Sequence, residues 1–216
     1  MPPLTPRQEL LTMLARKSFR LGEFKLSSGG TSDYYIDCRT TTLDGEGARL
    51  TARVFLDEIF RQGWEPQAVG GLTMGADPIV VASAMLSAQQ TQSRRPRPDT
   101  SPGGADYHLV HGFLVRKAEK EHGTGQRIEG FRKKGAKVVI VDDVCTTGSS
   151  TIQAIEAARE YGFEVIGVIA LVEREEAKGR LNVEKAASPA KFVCIFTADD
   201  VRAEHLRQNN EATVSS

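Results

Sequence analysis

The segment from Lys137 to Thr151, KVVIVDDVCTTGSST, limits what this chain can fold into more than any other stretch. Its apolar run through Val141 has the pattern of a strand buried on both faces, as in the interior of a parallel sheet. Charge returns abruptly at Asp142 and Asp143, where burial should stop. A hydroxyl-rich turn containing Gly148 follows. From Thr151 onward a helical period places Ile152, Ile155 and Ala158 on one face. Strand, acidic edge, small polar turn and helix in this order belong to an α/β fold. In open α/β sheets ligands sit beyond the carboxyl ends of strands, and the free N–H groups of a helix N-terminus suit a phosphate. A phosphate alone gains nothing from two adjacent carboxylates, but a sugar phosphate does. Thr146, Thr147, Gly148, Ser149 and Ser150 can cradle the phosphate while Asp142 and Asp143 accept hydrogen bonds from ribose hydroxyls. A solvated strand end and an ordinary helix cap would explain either half, though not the two joined. No Lys follows the turn, which excludes a Walker A phosphate loop.

Composition narrows the partners. A chain of 216 residues is long enough for one domain with a substantial core, and 40% hydrophobic with 26% charged residues describes a soluble globular protein. The 28 basic and 28 acidic residues cancel, so no extended nucleic-acid footprint is expected. The three cysteines, Cys38, Cys145 and Cys194, are far apart and form no CxxC pair, as expected of reduced thiols in a cytoplasm. The N-terminus has no apolar signal core, and no run of about 18 apolar residues offers a membrane span.

Along the chain, Thr5-Pro6-Arg7-Gln8 reads as a capping box that opens a helix with Leu10, Leu11 and Leu14 on one side. Residues 22–43 are punctuated by Gly and Ser, and two short strands joined at Ser28-Gly29-Gly30 are expected there. Tyr34 and Tyr35 then form either a half-buried strand or an aromatic wall for a flat heterocycle. An amphipathic helix is expected over 45–62, ended by Gly63, and a short buried strand over 68–72. The Gly70-Gly71 pair leads through GGLTMGADP into a helix opened by Asp77 and Pro78. Gly-Gly at a strand end permits close approach of a ligand, although a plain β–α turn accounts for it too. Residues 88–106 lack periodicity and read as a flexible surface insert. Their arginines have no interleaved aromatics, so a solvated loop is the better reading than a nucleic-acid patch. A strand over 107–115 is followed by RKAEKEHGTGQRIEG, where Arg116, Lys117, Lys120 and His122 precede the hinges Gly123 and Gly125. Such a loop could be a solvated face or a lid that closes cations over an anionic leaving group. His108 and His111 have no companion ligands at a zinc-binding spacing. A further strand over 164–172 ends at Glu173-Arg174, a strand over 191–196 precedes a helix capped by Thr197, and residues 207–216 read as a frayed polar tail.

VVIVDDVCTTGSS resembles the motif with which type I phosphoribosyltransferases bind 5-phosphoribosyl 1-diphosphate (PRPP). FKLSSGGTSDYYIDCR resembles the N-terminal hood of the orotate phosphoribosyltransferase family, and RKAEKEHG resembles that family's lid. The resemblance spans roughly residues 20–205 and departs from the family at Ser27, where many members carry Lys, and at Thr73-Met74, where many carry a basic residue. It implies a parallel-sheet α/β core flanked by helices, with a small N-terminal hood. The chain would be one domain over 1–216, with helix and hood in 1–43, the insert in 88–106 and a mobile lid in 116–130. It further implies that orotate and PRPP give orotidine 5′-monophosphate and pyrophosphate, in pyrimidine biosynthesis. Lys120, Asp142 and Asp143 would be catalytic. PRPP would be bound by Arg116, Lys117, Lys120 and His122, and by Asp142, Asp143, Val144, Cys145, Thr146, Thr147, Gly148, Ser149 and Ser150. Orotate would be bound by Tyr34, Tyr35, Thr146 and Arg174. Mg²⁺ would arrive mainly with PRPP, with no cage of protein ligands, and a homodimer would share lid residues between subunits. A purine phosphoribosyltransferase and a non-catalytic PRPP-sensing regulator stay open as alternatives at this point.

Overall fold

The computed structural model describes residues 3–25, 30–93, 109–117 and 127–214. Helix α1 (Pro6–Lys17) leads into a hairpin of β1 (Phe19–Lys25) and β2 (Thr31–Ile36). A short turn of helix α2 (Arg39–Thr42) and α3 (Gly45–Arg61) follow. The main sheet begins with β3 (Ala68–Leu72), which α4 (Asp77–Ser93) follows, and continues with β4 (His111–Val115), β5 (Ile128–Gly130) and β6 (Lys137–Cys145). Helix α5 (Ser149–Tyr161), β7 (Glu164–Glu173), a 3-10 turn (Glu175–Ala177), α6 (Gly179–Ala187), β8 (Lys191–Thr197) and α7 (Ala198–Val214) complete the order.

Among the described residues the main sheet has the order β5-β4-β3-β6-β7-β8 and is parallel except for the edge strand β5. Strand β6 lies inside it, and its apolar run serves both faces because successive side chains alternate. Val139 and Val141 join the core formed with α1, α3 and α4, including Leu14, Phe55 and Ile79. Val138 and Ile140 join the opposite core with Ala154, Ile155 and Ala158 of α5. Each such side chain contributes roughly 1.5–3 kcal/mol relative to exposure. Strand β3 carries Gly70-Gly71 because there is no room for side chains: a Cβ on Gly71 would lie 2.1 Å from the Val141 carbonyl oxygen. The carboxyl ends of β3 and β6 are thereby held side by side.

The capping box of α1 forms as the sequence implies. Gln8 N–H donates to Thr5 Oγ1 (3.3 Å) and Thr5 N–H donates to Gln8 Oε1 (2.9 Å). Helix α1 packs against α3 and α7, with Thr12 Oγ1 donating to Glu204 Oε1 (3.0 Å). The hood hairpin stands on this base, its Phe19 ring stacked on Tyr34 at 5.3 Å.

Several boundaries differ from the sequence expectation. Helix α4 runs through Ser93, so residues 88–93 of the expected insert are helical, since Ala88-Gln89-Gln90 continues a helix that no Gly or Pro interrupts. Residues 94–106 lie outside the described residues. The last part of the expected lid, 128–130, is instead the edge strand β5, paired antiparallel to β4 with Val115 opposite Ile128. The expected frayed tail is helical through Val214, supported by Arg207 donating to both Glu204 (2.7 Å) and Glu211 (2.6 Å) one turn to either side. Helix α6 and the 3-10 turn were not foreseen.

Candidate active site

Strand β6 delivers the acid pair to the sheet edge, and the two carboxylates differ. Asp142 is buried. Its Oδ2 accepts from Thr151 Oγ1 of α5 (2.6 Å) and its Oδ1 accepts from Asp143 N–H (3.0 Å). Burial, and next to it the Asp143 charge, push its carboxyl up to about 7, with the Thr151 hydrogen bond opposing. Asp143 is half-buried and accepts from Val144 N–H (2.8 Å), and burial raises its carboxyl as well. Both carboxylates are expected from the sequence to accept from ribose hydroxyls; both line the cleft, but Asp143 is the more open of the two and Asp142 is buried against Thr151.

The turn behind them is built for open backbone. Gly148 stands at the N-cap of α5 with φ 80° and has no side chain to cap it; Ser149 N–H donates to Thr147 Oγ1 (3.4 Å), which leaves the N–H groups of Ser150 and Thr151 available to an anion. A Cβ on Gly148 would lie 2.5 Å from Val183 Cγ2, and one on Gly179 would lie 2.1 Å from the Thr146 carbonyl oxygen, so α6 is pressed against the turn from outside. Asn182 Nδ2 donates to the Thr147 carbonyl oxygen (3.2 Å). Thr147, Ser149 and Ser150 are exposed and Thr146 is half-buried, whereas Cys145 is buried, its thiol pushed up to about 12 by desolvation.

A cleft of about 230 Å³ brings together Tyr35, Asp142, Asp143, Val144, Ser150 and Lys117 of the expected site. Ile36, Asp37 and Arg39, from the end of the hood, and Leu72 to Gly75, from the bend between β3 and α4, complete its walls. This bend approaches the acids closely: a Cβ on Gly75 would lie 2.4 Å from Asp143 Oδ1. Met74 holds φ 83°, a region most side chains avoid, and its N–H donates to Asp77 Oδ2 (2.8 Å). Arg116 stands at the end of β4, with Nη1 3.8 Å from Glu129 Oε1. Lys120 and His122 lie outside the described residues.

Tyr34 and Arg174 lie apart from this cleft. Alternation along β2 turns Tyr35 outward and Tyr34 inward, where it is buried against Phe19. The Arg174 guanidinium sits 4.5 Å over the Tyr34 ring, donates through Nε to Tyr34 Oη (3.1 Å) and Glu176 Oε1 (2.9 Å), and through Nη2 to Ser32 Oγ (3.1 Å). Burial, followed by the hydrogen bond to Glu176, raises the Tyr34 hydroxyl well above its ordinary value. These groups line a second cavity of about 350 Å³ with Asp33 and Asp199. Ile36, Asp37 and Arg39 were not singled out from sequence. The one available signal was the carboxylate–x–guanidinium spacing immediately after the hood strand.

A parallel sheet whose inner strand ends in an acidic pair, then turns through Thr-Thr-Gly into a helix beneath a hood, defines a type I phosphoribosyltransferase. The family model described as "Phosphoribosyl transferase domain" matches residues 106–193. The chain is 40% identical to the orotate phosphoribosyltransferase of Aquifex aeolicus over 186 residues, 85% of this chain and 91% of that one. It is 43% identical to that of Streptomyces coelicolor over 183 residues, again 85% and 91%. On these alignments the chain belongs to the orotate phosphoribosyltransferase family. Solved structures agree. The Mycobacterium tuberculosis H37Rv orotate phosphoribosyltransferase in complex with Fe(III) dicitrate superposes with a TM-score of 0.70 at 31% identity, covering 91% of this chain and 99% of that one. The same organism's enzyme in complex with PRPP gives 0.65 at 26% identity, covering 93% of each chain.

Proposed function

We propose that this chain transfers the 5-phosphoribosyl group of PRPP to orotate, releasing pyrophosphate and forming orotidine 5′-monophosphate in pyrimidine biosynthesis. The observation that carries the reading is the joint geometry of the cleft: an aromatic hood residue, Tyr35, the acid pair and Ser150, in the first turn of α5, line one space. The backbone N–H groups of the 146–150 turn take the 5-phosphate, with Thr146, Thr147, Ser149 and Ser150 supplying hydroxyls. Asp143 accepts from the ribose hydroxyls, and Asp142 holds its partner in place through the Thr151 contact. As the bond from C1 to the diphosphate breaks, the sugar acquires oxocarbenium character, and carboxylate charge beneath it lowers the barrier. The base lies against Tyr35 and Ile36. No covalent enzyme intermediate is required.

The lid residues Lys120 and His122, with Arg116 and Lys117, are assigned to the leaving diphosphate by family resemblance. Asp142 and Asp143 are oxygen donors of the kind that Mg²⁺ accepts alongside substrate phosphates, and Asp143 is the less buried of the two. Mg²⁺ bound there with PRPP would supply neutralising charge to the diphosphate. A role for Arg174 in orotate binding requires its guanidinium to leave Glu176 or to use its remaining donors. The three free cysteines are in keeping with a reducing compartment, and among the described residues no helix is long and apolar enough to cross a membrane. A homodimer is supported by α4, where Val81 and Met85, one turn apart, are 63% and 57% exposed.

The test is the loss of orotate absorbance on mixing enzyme, PRPP and Mg²⁺, run beside adenine, hypoxanthine and uracil. Consumption of orotate alone is expected. Turnover of a purine, or of no base at all, refutes the reading.

A further inference from the structure

The mechanism above leaves one wall of the cleft without a role. Asp37, Cys38 and Arg39 line it where β2 leaves the hood, in the same cleft as Thr73, Gly75 and the acid pair. Their backbone is fixed before any ligand arrives. Asp37 N–H donates to the Ser18 carbonyl oxygen (2.9 Å), and Ser18 Oγ lies 2.7 Å from Thr41 Oγ1 in buried surroundings. A Cβ on Gly47 would lie 2.1 Å from the Thr41 carbonyl oxygen, so α2 is wedged against α3. On this platform Asp37 grips Arg39 by a fork, Nε to Oδ1 (2.9 Å) and Nη2 to Oδ2 (3.0 Å). The Arg39 N–H donates to the same carboxylate (3.1 Å) and fixes its orientation in turn.

One edge of the guanidinium is therefore occupied and the other is not. Nη1 has no hydrogen-bond partner among the described residues, and the side chain is 43% exposed. A planar cation held by one edge, with its second edge open to a cleft, is pre-organised for an oxyanion. The neighbouring bend lacks any cation of its own, since Thr73, Met74 and Gly75 offer backbone and hydroxyl groups alone. Arg39 and Lys117 are the cationic side chains that line the cleft among the described residues, against three carboxylates, Asp37, Asp142 and Asp143. A multiply charged anion entering so acidic a space needs each cation it can reach. Arg39 and Asp143 line the same cleft, and each charge favours the charged form of the other.

We propose that Arg39 binds the diphosphate group of PRPP, supplying the cation that the bend between β3 and α4 lacks, and that Asp37 is a positioning residue that aims it. This rests on the reading of the cleft as a PRPP site. The 5-phosphate of PRPP and the orotate carboxylate are the other oxyanions of the two substrates, and the experiment separates the three.

Magnesium pyrophosphate, ribose 5-phosphate and orotate are titrated into the wild type and into Arg39→Gln, Arg39→Lys and Asp37→Asn, with steady-state kinetics on each. Arg39→Gln should weaken pyrophosphate binding and raise the KM for PRPP about tenfold, the loss expected of one charge-assisted contact. Ribose 5-phosphate binding and the KM for orotate should hold. Arg39→Lys should recover part of the affinity, and Asp37→Asn should shift the KM for PRPP in the same direction by less. Should Arg39→Gln lose thermal stability, the Arg39→Lys comparison at constant charge carries the test. Unchanged pyrophosphate affinity in Arg39→Gln, or a loss confined to orotate, overturns the proposal. A wild type that turns over orotate normally in that event leaves the PRPP reading standing, whereas a wild type that binds neither PRPP nor ribose 5-phosphate removes both.

Discussion

Replacing Gly75 by Ala perturbs the acid pair without touching either acid. The added Cβ would lie 2.4 Å from Asp143 Oδ1, 3.0 Å from Asp143 Cγ and 3.3 Å from Asp142 Oδ1. Ordinary contact begins near 3.4 Å, so the Asp143 carboxylate must retreat by roughly 1 Å. It is the end of a side chain and can do so, and Gly75 is not among the glycines with positive φ, so alanine fits the backbone. Folding stability should therefore change by less than about 1 kcal/mol. Catalysis should not be spared, because a displacement of about 1 Å at the reacting centre costs on the order of 10²-fold in rate. The measurement pairs kcat for orotate consumption with the melting temperature of the same preparation. A kcat within about twofold of wild type, in a variant that is fully folded, would show that the position of Asp143 is immaterial to the reaction.

Three further outcomes are expected. Asp142→Asn should trade activity for stability. The folded carboxyl is raised to about 7 from an ordinary 3.8, so the fold binds more protons than the unfolded chain between these values, and wild-type stability falls as pH rises through that window. The amide does not titrate, so unfolding free energies from denaturant titrations should favour the variant by roughly 1–3 kcal/mol at pH 8 and by little near pH 4, while kcat drops; parallel pH profiles would contradict the assignment. If the proposed homodimer forms through the exposed apolar face of α4, Val81→Asp should shift the molar mass measured by light scattering toward that of a monomer, and an unchanged mass would remove this face from the interface. Lys120→Ala should lower kcat far more than it weakens orotate binding, and an unchanged kcat would take Lys120 out of the chemistry.

The legibility of this fold in its sequence follows the range of the interactions. Strand β6 and its turn could be read because the buried run, the acids and Gly148 are consecutive, and each local preference points to the same structure. The cap of α1 and the end of α3 at Gly63, where φ is 68°, are equally local. What escaped depends on distant partners. Alternation along β2 was visible, but which tyrosine turns inward is decided by Phe19 and by Arg174, 140 residues further along the chain. The burial of Asp142 depends on Thr151 standing over it on α5, and the placing of Arg39 on Ser18 beneath α2. Helix α6 was missed because the glycine that opens it, Gly179, is explained by its fit against Thr146 and not by any local turn signal.

The central claim is that one ribose 5-phosphate is held between the Asp142–Asp143 pair and the 146–150 turn. The most direct measurement is calorimetric titration of PRPP, with Mg²⁺, into the wild type, an Asp142→Asn/Asp143→Asn variant and a Gly148→Val variant whose turn is blocked. Saturable binding by the wild type that weakens at least about tenfold in each variant is predicted. Equal affinity in all three would contradict the claim.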